Sequence, residues 1–163
     1  MHLGDWVEAI NGADVVLNLA GRTVNCRYNA KNLKEMMDSR VESTRVLGRA
    51  IAEAPNPPKL WLQSSTATIY AHRRDAANDE LTGILGGSEP QAPAKWRASI
   101  DIAKAREREL DEAITPETRK VALRSAMTMT PDLGGVFSVM AGLARKGAFR
   151  HRGLGPAIRL LDP

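Results

Sequence analysis

The chain has 163 residues, of which 43% are hydrophobic and 26% are charged. This length and composition are typical of one soluble globular domain with room for a hydrophobic core. No apolar run approaches the roughly 20 residues that span a bilayer, so we expect no membrane association and no signal peptide. A single cysteine, Cys26, excludes an internal disulfide and is compatible with a reducing cytoplasm, where we expect the protein to be located.

The net charge of +4 is concentrated at the carboxyl end of the chain. Residues 145–163 contain five basic residues and one acidic residue, so the remainder of the chain is neutral. This distribution argues against a folded nucleic-acid-binding surface, although a basic tail that binds nucleic acid remains an alternative. The three histidines, His2, His72 and His151, lack metal-ligand spacing, and we predict no metal site.

The first half of the chain predicts a helix, a strand and a second helix. Apolar residues at helical spacing predict a short helix over 3–12, which Asn11-Gly12 ends. The run over 14–19 predicts a strand buried on both faces, in which the Asn18 amide hydrogen-bonds to a neighbouring segment. A long amphipathic helix follows, from an Asn29 cap to about residue 54, and its predicted inward positions are Leu33, Met37, Val41, Thr44, Leu47 and Ile51.

The second half repeats the alternation of strand and helix. Residues 59–65 predict a strand parallel to the first, because a crossover with one long helix joins the two. Residues 66–95 lack apolar periodicity and predict a loop, for which we favour a lid over a disordered segment. A helix over 97–114, a strand from residue 119 and a helix over 136–146 follow, with Ile100, Ala103, Leu110 and Ile114 turned inward on the first of these helices. The order of these elements predicts an α/β fold. In such folds, ligands bind at the carboxyl ends of the parallel strands.

Four motifs resemble a known family: NLAG at 18–21, SSTATIY at 64–70, a helix carrying Lys104, and LRSAMTMTPDLGG at 123–135. In this order they resemble the extended short-chain dehydrogenase/reductase superfamily, and within it the sugar-nucleotide-epimerase-like NAD(P)-binding proteins. The resemblance implies a partial Rossmann-like parallel sheet with flanking helices, three strands and four helices in all, over residues 1–147. It leaves 148–163 as an irregular basic tail. It also implies an NAD(P)-dependent epimerase- or dehydratase-like oxidoreductase that acts on a nucleotide sugar or a similar small substrate.

The resemblance also implies roles for individual residues. A Thr66 hydroxyl would hydrogen-bond the reacting oxygen of the substrate, although Ser/Thr clusters also commonly begin loops. Residues facing the dinucleotide, NAD or NADP, would be Leu19, Ala20, Gly21, Ser64, Ser65, Lys104, Arg124 and Met127. Three alternatives stay open: Gly21 as a plain turn, Lys104 as a solvated charge, and Arg124 as an exposed strand-end charge rather than a phosphate ligand.

The family's acid/base pair, Tyr-x-x-x-Lys, is incomplete in this chain. Lys104 matches the lysine, but Ile100 stands in the tyrosine position and cannot transfer a proton. Tyr70 is a candidate catalytic base, with a packing role as the alternative. The second functional hypothesis is therefore a non-catalytic nucleotide-binding or interaction module of the same fold.

The Gly-rich turn that holds the dinucleotide pyrophosphate in the family has no counterpart here. The resemblance implies that the first strands are missing, so we expect a fragment with weak NAD(P) affinity. We also expect an exposed apolar sheet edge, low stability and self-association through that edge.

Overall fold

A computed structural model describes residues 4–73, 75–89, 94–130 and 135–147. The chain forms two compact units, Met1–Ala126 and Met127–Pro163. The predicted basic tail over 148–163, and residues 131–134 of the fourth motif, lie outside the described residues. The predicted domain boundary at residue 147 therefore stays a prediction.

The first unit contains a three-stranded sheet in which all strands are parallel. Its strands are β1, Val15–Asn18, β2, Leu60–Thr66, and β3, Arg119–Ser125, and their order in the sheet is β1-β2-β3. In the pairing register, Val15 of β1 lies opposite Leu60 of β2, and Leu60 lies opposite Arg119 of β3. The predicted α/β fold with a parallel sheet is confirmed, and the carboxyl ends of all three strands lie at one edge.

Two long helices belong to the first unit and a shorter helix to the second. Helix α1 spans Ala30–Glu53, and the predicted cap is confirmed because the Asn29 side chain accepts from the Asn32 amide at 2.8 Å. Helix α2 spans Ala94–Glu112, and α3, Val136–Arg145, lies in the second unit. The predicted first helix is a 3-10 helix over Asp5–Ile10, and Gly12 follows it with a φ of +77°, which favours glycine.

The core lies between the sheet and helices α1 and α2. The Trp61 side chain of β2 is fully buried, and it belongs to a cluster with Ile10, Leu47, Ala50, Ile51 and Leu110. Gly48 of α1 lies against it, since a Cβ added at Gly48 would stand 3.5 Å from the Trp61 ring and 3.1 Å from Ala113 Cβ. The absence of a side chain at residue 48 therefore permits close packing of helix on sheet.

The prediction that β1 is buried on both faces is wrong. Val15 and Leu17 are each 49% exposed, whereas Val16 packs against the core cluster and Asn18 is buried. The reason is that β1 is an outer strand of the described sheet, and α1 and α2 cover only the face that carries Val16 and Asn18. An apolar run identifies a strand, but it does not specify how many faces are covered.

Two helix positions also differ from the prediction. Met36, not Met37, is fully buried on α1. Ile114 is 84% exposed because α2 ends at Glu112, so the side chain is no longer on the inward stripe of the helix. The other inward positions predicted for this helix, Ile100, Ala103 and Leu110, are confirmed.

Backbone hydrogen bonds join the two ends of the loop after β2. A 3-10 turn over Ala67–Ile69 begins it, and Tyr70 forms an antiparallel bridge with Leu85. The amide of Ala71 donates to the Ile84 carbonyl at 2.7 Å, and the amide of Gly86 donates to the Ile69 carbonyl at 2.8 Å. The described part of this loop therefore has a defined path beside the strand ends, while its role as a lid stays a prediction.

Candidate functional site at the strand ends

Buried side-chain amides join β1 to β2 near their carboxyl ends. The Asn18 Nδ2 group donates to Gln63 Oε1 at 3.0 Å, and Asn18 Oδ1 accepts from the Ala20 amide at 3.0 Å. The prediction that the Asn18 amide bonds to a neighbouring segment is confirmed. These bonds hold the corner after β1 in place, because each polar group finds a partner inside the protein.

The predicted cofactor residues on this corner, Leu19, Ala20 and Gly21, are exposed. Gly21 faces the Arg40 side chain, since an added Cβ would stand 3.3 Å from Arg40 Cζ. A side chain at residue 21 would therefore displace the guanidinium of Arg40. Both readings of Gly21, a plain turn and a residue in direct contact with a dinucleotide, stay predictions.

A cavity of about 350 Å³, here called the basic cavity, opens at the ends of β1 and β2. Its size is at the low end of the range for ligand pockets. The elements that line it are the loop after β1, helices α1 and α2, the end of β2 and the 3-10 turn that follows β2. The lining residues are Val24, Tyr28, Met36, Arg40, Ser64, Ser65, Thr66, Thr68, Ser99, Ile102, Ala103 and Arg106. Three predicted site residues, Ser64, Ser65 and Thr66, therefore lie together here.

Two arginines supply the charge of the basic cavity. Arg106 is only 5% exposed, and its Nη2 group donates to the carbonyls of Asn18 at 3.3 Å and Ala20 at 3.0 Å. Burial, together with the nearby charge of Arg40, lowers the pKa of the Arg106 guanidinium to about 10. Burial also lowers the pKa of Arg40, whose Nη1 group donates to the Met36 carbonyl at 3.1 Å.

A second cavity of about 1010 Å³, here called the tyrosine cavity, lies beside the loop after β2. Its lining residues are Ala67, Thr68, Tyr70, Ala71, His72, Asn78, Asp79, Glu80, Glu89, Trp96, Ile100 and Arg124. Thr68 lines both cavities, so the two adjoin at this residue. Ile100, the residue in the family's tyrosine position, is buried and contributes apolar surface.

A chain of hydrogen bonds connects β2, α2 and β3 to Tyr70. The guanidinium of Arg124 donates to both carboxylate oxygens of Glu107, at 2.7 and 3.0 Å, and to the Tyr70 hydroxyl at 2.9 Å. The Ser65 hydroxyl donates to the same carboxylate. The hydrogen bond to Glu107 is the main reason that the pKa of Arg124 lies above its usual value.

The position of Arg124 differs from both sequence interpretations. It is not an exposed strand-end charge, because Glu107 neutralises it and its guanidinium carbon lies 5.0 Å from the centre of the Tyr70 ring. Its guanidinium is engaged within the protein, and a contact with a cofactor phosphate stays a prediction. Because Arg124 packs against the Tyr70 ring, it fixes the orientation of the Tyr70 side chain toward the tyrosine cavity.

The remaining predicted residues have local partners. The Thr66 hydroxyl accepts from the Thr68 amide at 3.2 Å and donates to the Thr68 hydroxyl at 3.0 Å, so it caps the 3-10 turn. The Lys104 ammonium donates to the Gly86 carbonyl and anchors the loop after β2, which excludes a purely solvated lysine. Met127 is the first residue of the second unit. The catalytic and cofactor roles of these three residues stay predictions.

Sequence reasoning missed two buried charged residues, Arg106 and Glu107. The strongly charged run from Lys104 to Glu112 contains both residues, and neither was among the predicted inward positions. Both residues nevertheless stand three or four positions from Ala103 and Leu110, which are buried. The helical spacing of the apolar positions was therefore the signal that these charges face inward.

Two kinds of site find no support in the part of the chain that the structure describes. None of its helices combines the length and the apolar character that crossing a membrane requires. No group of three or more His, Cys, Asp or Glu side chains within the described ranges converges as a set of metal ligands.

Comparison with known proteins supports the motif-based resemblance. No family model matches the chain. The epimerase family protein SDR39U1 of Bos taurus is 40% identical over 70 residues, which cover 41% of this chain and 24% of that protein. The crystal structure of human epimerase family protein SDR39U1 with NADPH superposes with a TM-score of 0.68 at 28% identity, covering 87% of this chain and 47% of that one.

A more distant structural relative shares the fold alone. The UDP-glucuronic acid 4-epimerase of Bacillus cereus, in complex with NAD, has a TM-score of 0.54 at 17% identity and covers 76% of this chain and 36% of that one. The chain therefore spans less than half the length of these relatives. The resemblance to the epimerase-like proteins of the extended short-chain dehydrogenase/reductase superfamily is confirmed, and the fold is that of NAD(P)-dependent epimerases.

Proposed function

We propose that this chain forms the strand-end half of a nicotinamide-dinucleotide site in an epimerase-like oxidoreductase, acting on a nucleotide sugar or a similar small substrate. The observation that carries the proposal is the superposition of 87% of the chain on an epimerase family protein crystallised with NADPH. The two adjoining cavities lie at the carboxyl edge of the parallel sheet, where open α/β folds bind their ligands.

The chain's own residues would bind and orient the ligands. The corner at Leu19, Ala20 and Gly21 and the hydroxyls of Ser64 and Ser65 would face the dinucleotide. Further contacts would come from Lys104 and Arg124, and the Thr66 hydroxyl would hydrogen-bond the reacting oxygen. The dinucleotide, when bound, supplies the hydride acceptor and donor.

Tyr70 is the proton-transfer residue in this proposal, in place of the helix tyrosine that Ile100 replaces. Its oxygen accepts a hydrogen bond from Arg124 at 2.9 Å, so its own O–H proton remains available for a ligand in the tyrosine cavity. Arg124 contacts Tyr70, and Glu107 holds Arg124 in place. Both therefore act as positioning residues. Such placement is what general acid/base catalysis requires.

Substitution of Tyr70 tests the catalytic part of the proposal. With NAD or NADP and a panel of UDP-sugars, Tyr70→Phe should lower kcat by about 10²- to 10⁴-fold, with a smaller effect on KM. Leu81→Thr, at an almost fully exposed side chain of the same loop, should leave both constants unchanged. An equal kcat for Tyr70→Phe and the unsubstituted protein would assign proton transfer to another residue.

The buried isoleucine at position 100 favours a second candidate, a non-catalytic nucleotide-binding module. Calorimetry with NADPH separates the two candidates when it is paired with the turnover assay. Binding without turnover on any of the UDP-sugars would support the module. We expect affinity weaker than micromolar in either case, because the chain has no Gly-rich turn to hold the pyrophosphate.

The proposal extends to assembly and location. Val15 and Leu17 present exposed apolar surface on an outer strand, which supports self-association along β1. Sedimentation velocity over a hundredfold concentration range should show a rising sedimentation coefficient, and a constant monomer value would refute self-association. The single cysteine, Cys26, is free and suits a reducing cytoplasm.

A further inference from the structure

The basic cavity holds two arginines that no acidic side chain neutralises among the described residues. Several other arginines of the first unit do pair with carboxylates, among them Arg22 with Glu35 at 2.9 Å, Arg45 with Glu109 at 2.8 Å and Arg124 with Glu107 at 2.7 Å. Arg40 and Arg106 instead donate to backbone carbonyls. None of the residues that line the basic cavity is Asp or Glu.

Arg106 also has an unsatisfied donor. Its Nε group is buried and finds no hydrogen-bond partner among the described residues, although the side chain is only 5% exposed. A buried charge is normally paired, and a buried N–H without a partner is costly. The lowered pKa of Arg106 reflects this cost, since burial and the charge of Arg40 both disfavour the protonated guanidinium.

We propose that the basic cavity is an anion site, in which Arg40 and Arg106 bind a phosphate or diphosphate group. A guanidinium presents donors in a planar fork that matches phosphate oxygens, and both arginines line the same cavity from different helices. The hydroxyl-bearing residues Ser64 and Ser99 also line this cavity and offer further donors. An anion here neutralises two like charges at once.

The position of the cavity connects the anion to the predicted dinucleotide corner. Arg106 binds the Ala20 carbonyl, and the Arg40 guanidinium stands against Gly21. The identification of the anion as the diphosphate of a dinucleotide or of a nucleotide sugar rests on the proposed function. The anion site itself rests only on the charge, burial and geometry of the two arginines.

Calorimetric titration with sodium pyrophosphate at constant ionic strength tests the site on the full chain. The unsubstituted protein should bind pyrophosphate and gain thermal stability from it. Arg40→Gln should weaken binding about tenfold, because it removes charge-assisted hydrogen bonds. Arg49→Gln removes the same charge from an exposed position of α1 and should leave the affinity unchanged.

Three outcomes would overturn the proposal: no binding of millimolar pyrophosphate, equal losses in Arg40→Gln and Arg49→Gln, or an unchanged affinity in Arg40→Gln. Arg106→Lys provides a second variant, which keeps the charge but loses the fork. It should weaken pyrophosphate binding as well, whereas a purely structural role for Arg106 would change the melting temperature and leave the affinity alone.

Parallel titrations with NADPH and with UDP-glucose identify the source of the anion. The nucleotide whose affinity falls about tenfold in Arg40→Gln is the one whose diphosphate occupies the cavity. Pyrophosphate binding that depends on Arg40, without binding of either nucleotide, would uphold the anion site and contradict the proposed function. Nucleotide binding of equal strength in both proteins would uphold the function and place the diphosphate elsewhere.

Discussion

The two faces of the parallel sheet differ sharply in how they are covered. On one face, Trp61 and Gln63 of β2 are fully buried beneath α1 and α2. On the other face, Val15 and Leu17 of β1 remain half exposed, although both are as apolar as core residues. The comparison teaches that, among the described residues, the core of the first unit lies on one face of the sheet, so substitutions of similar chemistry should have very different effects on the two faces.

The largest effect is expected at the centre of the covered face. Trp61→Ala should lower the free energy of unfolding by about 3–5 kcal/mol, because it opens a large void among well-packed side chains. Trp6→Ala, at a half-exposed tryptophan, should cost no more than about 1 kcal/mol. Urea denaturation followed by circular dichroism measures both, and equal losses would mean that the covered face is not the core.

An intermediate effect is expected at the amide pair on the same face. Asn18→Leu or Gln63→Leu alone should cost about 1–3 kcal/mol, since each leaves a buried amide without its partner. The double variant should cost less than the sum of the two single variants. Denaturation of all four proteins gives the coupling energy, and strict additivity would show that the 3.0 Å hydrogen bond contributes nothing.

The smallest effect on stability is expected on the open face. Leu17→Thr should change the free energy of unfolding by less than about 0.5 kcal/mol, because the side chain already contacts water. The same change should reduce self-association measured by sedimentation velocity. Leu81→Thr, at an exposed leucine in the loop after β2, should leave association as it was, and a similar reduction there would remove any special role of β1.

Much of the fold could be predicted because hydrophobic periodicity and capping are local signals. The Asn29 cap, the inward residues Ala103 and Leu110, and the parallel crossover all follow from short stretches of sequence. The exposure of Val15 could not be predicted in this way, because it depends on which face the distant helices cover. Ile114 was misplaced for a related reason: its spacing fits the helix, but the helix ends before it.

The candidate site was predictable only in part. The resemblance implied Ser64, Ser65 and Thr66 as site residues, and these last residues of β2 line the basic cavity together. The contact of Arg124 with Tyr70 joins residues 54 positions apart, and no local pattern encodes it. Arg106 lies within a charged run, a composition that is typical of a solvent-exposed helix face. Only its helical spacing from the buried apolar positions indicated that it is buried.

Gly48 has a consequence for variation of this sequence. The space between Trp61 and Ala113 accepts a hydrogen atom at residue 48, and an added methyl group would stand 3.1 Å from the Ala113 side chain. Alanine is the better helix former, yet its gain would be opposed by this crowding. The side chains at positions 48, 61 and 113 therefore share one limited volume. A larger side chain at one of these positions should be retained in evolution only when a smaller side chain occupies another.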